Sequence, residues 1–514
     1  MNAKRLVFYN DARHYHLYCH EPPISLAAAR APVDELAGTH VDTFVYGPGA
    51  GPSMFYLTKV GEVFGSHLAA FRDIPGVQRG TLPTWRAHEN IMSLKERGID
   101  LMELLAQRAH EAGMKFIVSY RQTHSVASDD VDNYFNWQFK IDHPEWCLKG
   151  KGAHGFNFIY PEVRAERFAL AQEAANDYDI DGVEIDWCFW PYLFEEDQIA
   201  ANRDLLTDYM RQHREMLDAA AARKGRPLDF GARVLPTLKG NLDAGFDVAA
   251  WLEEDLLDFV VPNYYVDEQI DADFPFEWLV ELAAGTRCQV WPAMQRQIGR
   301  PKEGDGEPTG EEMATASHYH AAASAYYDKG ADGIYLPWFN WPIEAADRQL
   351  LSEIDDPALL AGKPGHYAVR GHNEGAAEHD YHAQLPLSLI NGTQAPGQPV
   401  KLFVAAGAAG AAALLRLRLR FTTIHDRLWI ALNGFELDQT TARREPHSYT
   451  PTEASLAGKG ISSIAYTWLE IGIPAGHLRA GANEVAIAVL ERPAKLEGQI
   501  VLDRTEVVTS PAAD

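Results

Sequence analysis

Along the first 360 residues, short apolar runs alternate with longer amphipathic stretches. The runs fall at 6–9, 43–46, 116–120, 182–187, 230–235, 259–262, 289–292 and 333–336. Their length suits buried strands better than helices. Between them, a 3.6-residue apolar period predicts helices over 101–112, 163–177, 199–222 and 311–328. Eight strand–helix alternations predict an α/β fold, a (β/α)8 TIM barrel, over residues 1–360. The alternative, an open doubly wound sheet, would place a Gly-rich turn after the first strand, and Asn10-Asp11 stands there instead.

Beyond the barrel the pattern changes. Residues 361–400 are rich in Gly, Pro and Ala and read as a linker or connecting segment. From 401 to 514 the apolar period falls to two, at 415–421, 428–432, 467–473 and 484–490. Such alternation predicts antiparallel strands with one solvated face. Turn residues Asn433-Gly434, Pro474-Ala475-Gly476 and Ala480-Gly481-Ala482-Asn483 separate the runs. A C-terminal β-sandwich accessory domain is the expectation.

Composition narrows the partners. The 514 residues carry a formal charge of −26, which argues against nucleic acid and anionic membrane surfaces. No apolar run approaches membrane-spanning length. The four cysteines, Cys19, Cys147, Cys188 and Cys288, lack the spacing of a zinc site or a disulfide framework. The expected compartment is the cytoplasm, or the exterior if a leader has been trimmed, and homo-oligomerisation is left open.

Candidate chemistry gathers after the strands, where barrel enzymes present their functional groups. The fourth run, Asp181-Gly182-Val183-Glu184-Ile185-Asp186-Trp187, places Glu184 and Asp186 on one face and Val183, Ile185 and Trp187 on the other. Two acids on one face of a core strand must be paired or used, since an unpaired buried charge is expensive. The bland reading ties both to arginines. The functional one makes Asp186, at the strand end, one of the two carboxylates that glycoside hydrolysis requires. Asp267 is the best placed opposing acid, ahead of Glu268, with Asp11, Asp129 and Asp130 weaker.

Aromatics at strand ends fit the apolar faces of sugar rings. They include Trp187, Phe189, Trp190, Tyr264, Tyr265, Trp291, Trp338 and Trp341, with Asn263, Gln295 and Asn340 as polar neighbours. Arg121, His124 and Arg233 either bind substrate oxygens or pair with Glu184 and Asp186. His14, His16 and His20 suggest a metal test. The strands that would complete a metal-hydrolase set end in Arg233, Asn263-Tyr264-Tyr265 and Trp338-Phe339-Asn340, so no metal and no cofactor is expected. The acidic loop 267–273 lacks the spacing of a calcium hand.

The segments His143-Pro144-Glu145-Trp146, Tyr160-Pro161-Glu162-Val163-Arg164 and Tyr178-Asp179-Ile180-Asp181-Gly182-Val183-Glu184-Ile185-Asp186 together resemble the family-10-like glycoside hydrolases, as does Leu351-Ser352-Glu353-Ile354. The resemblance spans roughly 5–365 and implies a TIM-barrel enzyme with Asp186 in the active site. Two positions depart from the family pattern. Tyr160 replaces an asparagine, and Cys188-Phe189-Trp190 replaces an arginine-bearing stretch. In α-galactosidase-like retaining enzymes, a strand-four aspartate is the nucleophile and a strand-six aspartate the acid/base, and Asp186 and Asp267 match those places. The cellulase-like scheme fits worse, because Trp291-Pro292-Ala293-Met294-Gln295 in strand seven has no acid.

The expected function is therefore a glycoside hydrolase acting on an oligo- or polysaccharide, with Asp186 and Asp267 catalytic and Glu184 in support. Two other classes stay open: a non-catalytic carbohydrate-binding barrel, and a lyase or isomerase using His124 or Tyr264 as base on an acidic sugar.

Overall fold

The computed structural model describes residues 4–49, 53–68, 82–265, 267–298, 312–448 and 465–510. It divides into two compact units. The first comprises Met1–Val266, Pro275–Ala293 and Ala331–Asp355; the second comprises Asp267–Phe274, Met294–Gly330 and Asp356–Asp514. The second unit thus draws two segments from within the stretch that the sequence assigns to the barrel.

The first unit is the eight-stranded parallel barrel. Its strands are β1 (Arg5–Asp11), β2 (Thr43–Gly47), β3 (Lys115–Arg121), β4 (Gly182–Asp186), β5 (Asp229–Val234), β6 (Phe259–Pro262), β7 (Gln289–Val290) and β8 (Gly333–Leu336). They hydrogen-bond in the order β8-β1-β2-β3-β4-β5-β6-β7. Closure between β7 and β8 comes from Asp332 N donating to Val290 O at 3.0 Å and Tyr335 N to Pro292 O at 3.1 Å. All eight expected strands are present. The seventh is cut to two residues, because Pro292 can donate nothing to a ladder.

Alternation sorts each strand's side chains. Val7, Tyr9, Val45, Ile117, Phe259, Val261, Trp291, Ala293 and Tyr335 form one buried cluster inside the barrel. Across β3, β4 and β5 the register sets Ser119 beside Glu184 and Gly231, and Arg121 beside Asp186 and Arg233. Gly231 is required there: a Cβ would lie 2.1 Å from the Phe259 ring. Outside the barrel, helices include α1 (Leu26–Asp34), α2 (Leu82–Glu96), α3 (Leu101–Glu111), α4 (Pro161–Asp177) and α5 (Ile199–Lys224). Asp100 caps α3 by accepting from Met102 N and Glu103 N, and Gly225 ends α5 in the left-handed region.

The second unit is built on two antiparallel sheets. Their strands are β9 (Gly365–Ala368), β10 (Leu387–Leu389), β11 (Gln398–Val404), β12 (Ala413–Arg420), β13 (Arg427–Leu432), β14 (Phe435–Glu436), β15 (Arg443–Ser448), β16 (Ala465–Ile473), β17 (Gly481–Glu491) and β18 (Ile500–Thr509). One sheet runs β9-β18-β12-β16-β15, with β10 also on β18; the other runs β11-β17-β13-β14. In β12, Leu415, Leu417 and Leu419 turn inward, while Arg416 reaches Glu470 at 3.0 Å and Glu506 at 2.7 Å. The expected linker is thus partly sheet, contributing β9, β10 and part of β11. Ala321 and Ala325 of the helix Ala316–Asp328 join this unit's apolar core. That helix begins at Ala316 rather than at 311, after a capping box of Thr315 and His318, because residues 312–313 pair with 297–298 as strands.

Candidate functional site

Because Glu184 and Asp186 share the inward parity of β4, both enter the barrel, and their surroundings decide what they can do. Asp186 lies at the strand's C-terminal end. Its Oδ1 accepts hydrogen bonds from Cys188 N at 2.9 Å and Phe189 N at 3.2 Å, which fixes the carboxylate to the turn that follows. Its Oδ2 faces two guanidiniums, Arg233 Nη1 at 3.3 Å and Arg121 Nε at 3.8 Å. That oxygen accepts no hydrogen bond from the described residues. Asp186 is 1 % exposed.

Glu184 sits a layer deeper. Its Oε1 accepts from Ser119 Oγ at 2.5 Å, from Arg233 Nη2 at 2.7 Å and from Tyr335 OH at 3.2 Å. Arg233 also donates to Tyr335 OH and lies over the Tyr9 ring, 4.3 Å from its centroid. Arg121 makes the corresponding contacts on the other side. Its Nη2 reaches Asp11 at 2.7 Å and the hydroxyls of Tyr9 and Tyr265 at 3.1 Å each. Asp11 in turn accepts from Arg13 N at 3.1 Å and Arg13 Nε at 3.2 Å.

Three carboxylates therefore balance three guanidiniums, all six side chains buried. Desolvating a single such ion costs several kcal/mol, so the pairing is what makes the cluster tolerable. The acids respond differently. Burial pushes the Asp11 carboxyl up, but Arg13 and Arg121 outweigh it and hold the group well below the usual carboxylate range. At Glu184 burial wins: the carboxyl is raised despite Arg233, and Asp186 adds to the rise.

Around this cluster runs a chain of rings from the loops after β1, β3, β4, β6 and β8. Phe189 meets Tyr265 edge-on at 4.8 Å, and Tyr265 meets Trp338 at 5.5 Å. Trp338 contacts His14 at 5.4 Å and Tyr15 at 5.5 Å. On the other side His124 lies 5.4 Å from Phe189 and 5.8 Å from Phe135, nearly parallel to the latter. His124, Phe135, Phe189 and Tyr265 are half-buried.

Among the residues named from sequence, Asp11, Glu184, Asp186, Arg121, Arg233, His124, Phe189, Tyr265 and Trp338 come together here. Others do not. Trp187, expected on substrate, packs outside the barrel against Phe158, Tyr209, Phe246 and Trp251, as its parity opposite Asp186 dictates. Trp291 is inside the barrel but stacked on Phe259 at 4.2 Å within the apolar cluster. Trp190 donates to Gly152 O at 3.3 Å, and Asn340 donates to Asp347 at 2.8 Å. Asn263 follows Val261 with inward parity and is buried, as is Tyr264. Tyr9, Ser119 and Tyr335 escaped the sequence reading, although each shares the inward parity of its strand.

Asp267 and Gln295 belong to the second unit. There Asp267 is ion-paired with Arg370 and accepts from Gln269 Nε2 at 2.8 Å. Burial raises its carboxyl against the opposing pull of Arg370. Glu268 pairs with Arg296 at 2.7 Å, Asp271 accepts from Tyr381 OH at 2.7 Å, and Asp273 pairs with Lys329 at 2.7 Å. These contacts tie the acidic loop to protein partners. No cluster of metal-ligating side chains occurs among the described residues, and His16 Nε2 bonds Ala28 O at 3.0 Å. No described helix is long and apolar enough to cross a membrane.

No protein-family model matches the chain, and no curated protein does. Solved structures similar to it include glycoside hydrolases. An α-L-fucosidase from Paenibacillus thiaminolyticus aligns at 14% identity and TM-score 0.41, over 69% of this chain and 49% of its own. This chain thus spans about half the length of the fucosidase. A family GH18 chitinase from Chromobacterium violaceum aligns at 10% identity and TM-score 0.38, over 97% and 91% respectively. A maltogenic α-amylase from Thermotoga neapolitana aligns at 12% identity and TM-score 0.37, over 98% of each.

Proposed function

We propose that the protein is a glycoside hydrolase whose reacting carboxylate is Asp186. One observation carries this: Asp186 stands at the C-terminal end of β4 with Oδ1 fixed by two backbone amides and Oδ2 accepting no hydrogen bond from the described residues. Glu184 Oε2 is likewise without a donor among the described residues, but Glu184 lies a layer deeper, whereas Asp186 stands where barrel enzymes present their reacting groups. An oxygen left without a donor in a preorganised setting suits attack on an anomeric carbon or on a water. The surrounding rings offer the flat apolar surfaces that sugar C–H faces stack on.

Asp186→Asn should abolish hydrolysis of any oligosaccharide the wild-type protein cleaves while leaving the circular dichroism spectrum unchanged. Turnover at the wild-type rate would overturn the assignment. The proton donor is to be identified with aryl glycosides whose leaving group needs no proton. If Glu184→Gln keeps activity on these, yet loses it on natural linkages, Glu184 is the general acid.

A second reading, a sugar-binding barrel without catalysis, draws support from the guanidinium beside each of Asp11, Glu184 and Asp186. Calorimetric binding of an oligosaccharide with no product after prolonged incubation would select it.

A further inference from the structure

Among the rings around the acid–arginine cluster is an imidazole whose tautomer the backbone fixes. Val126 N donates to His124 Nδ1 at 3.1 Å. A backbone N–H can only donate, so Nδ1 is the acceptor and the ring proton resides on Nε2. The ring cannot swing freely, since Phe135 and Phe189 both pack against it. Its own carbonyl is held by the buried Lys140 ammonium at 2.9 Å. With two rings packed against the imidazole and Nδ1 occupied, the Nε2 edge is what a ligand can meet.

We propose that His124 presents its Nε2–H to an acceptor oxygen of a bound sugar and so positions the substrate over Asp186. This rests on the proposed glycoside hydrolase function and specifies which group reads the sugar. An imidazole suits the task only if it stays a single-tautomer donor across the working pH range. Every charged group facing it works in that direction. Burial comes first, then Arg13 from the loop after β1, Lys140 from the helix Gln138–Asp142 and Arg121 at the end of β3, all cations that disfavour a second proton. The group is held well below the ordinary histidine value. His124 is therefore a donor, and a poor general base, because its only basic nitrogen is spent on Val126.

Two measurements test this on the full chain. In 15N-histidine spectra, with His124→Phe used for assignment, His124 should show the Nε2–H tautomer and no imidazolium signal from pH 8 down to about 5. A midpoint near the unperturbed value of about 6.5, or the Nδ1–H tautomer, overturns the proposal. The second measurement is calorimetric binding of chitohexaose and cellohexaose in an Asp186→Asn background. These probes differ at the C2 substituent, acetamide against hydroxyl.

His124→Phe keeps the ring stack and removes the donor, and should weaken binding about tenfold; His124→Gln restores an N–H and should recover most of the loss. A loss confined to chitohexaose identifies the acetamide oxygen as the acceptor, and a loss on both identifies a hydroxyl. A parent protein that binds neither probe, or a His124→Phe variant that binds as the parent does, overturns the proposal. If Asp186→Asn still hydrolyses the probes while the His124 effects persist, the hydrolase assignment fails and this one stands.

Discussion

Two buried aspartates, Asp186 in the barrel unit and Asp267 in the second unit, both lie beside arginine and are held in opposite ways. Asp267 Oδ1 accepts from Gln269, its Oδ2 accepts from Arg370, and Arg370 also donates to Tyr381 O at 2.7 Å while its guanidinium lies over the Tyr381 ring at 3.6 Å. Every lone pair with a role in that arrangement is used, and the result is a clamp between a loop and a distant segment. Asp186 spends one oxygen on the backbone and leaves the other facing two guanidiniums without a hydrogen bond. Burial and charge pairing do not by themselves separate a structural ion pair from a reactive one. Nor does an unbonded oxygen alone, since Glu184 has one too; what sets Asp186 apart is its place at the C-terminal end of a barrel strand, among the rings of the loops that follow.

The sharpest way to break this contrast is kinetic. Asp186→Asn should lower kcat by about 10⁴-fold or more on a cleaved glycan, with a small change in thermal midpoint. Asp267→Ala should show the reverse weighting in unfolding. Removing one partner of a buried pair strands the other, so about 3–5 kcal/mol of the second unit's stability should disappear, read from its urea midpoint. Comparable destabilisation by both variants would erase the distinction.

A third variant sharpens the barrel side through pH. Asp11 has a folded value well below its unfolded one, so its stabilisation is complete above about pH 4 and is lost as pH falls through the folded value. Asp11→Asn should cost about 3 kcal/mol at pH 7, and the gap from wild type should narrow as pH drops below about 4. A gap that is constant with pH would mean Asp11 acts by packing rather than by charge. The smallest effect is expected at Tyr335→Phe. It removes a hydroxyl shared by Arg233 and Glu184 and should cost about 1–2 kcal/mol.

Much of the barrel was legible because its signals are local. Apolar runs marked every strand, and period-two alternation put Glu184 and Asp186 on one face without any knowledge of their neighbours. The same alternation sets Trp187 on the opposite face, outside the barrel, and aromatic clustering at the strand end does not override it. Tyr9 and Tyr335 follow the same rule and looked like ordinary core residues. Asp267 was a different problem. Its position after a strand is indistinguishable in sequence from that of a catalytic acid, and the arginine that binds it lies 103 residues further along. Tautomer and ring packing at His124 likewise depend on Val126, Phe135 and Phe189 in three dimensions.

The second unit's use of segments 267–274 and 294–330 has a consequence for biosynthesis. Chains emerge N-terminus first at about 5–20 residues per second, and early segments usually fold as they appear. Here the helix Ala316–Asp328 leaves the ribosome before the leucines of β12 and β18 that share its apolar core have been made. Glu312 likewise waits for Arg504, 192 residues later. Truncation after Asp355 would therefore not release a self-sufficient barrel. It would leave a helix without the sheets it packs on and an acidic loop without Arg370 and Tyr381, and such a fragment should be prone to aggregation.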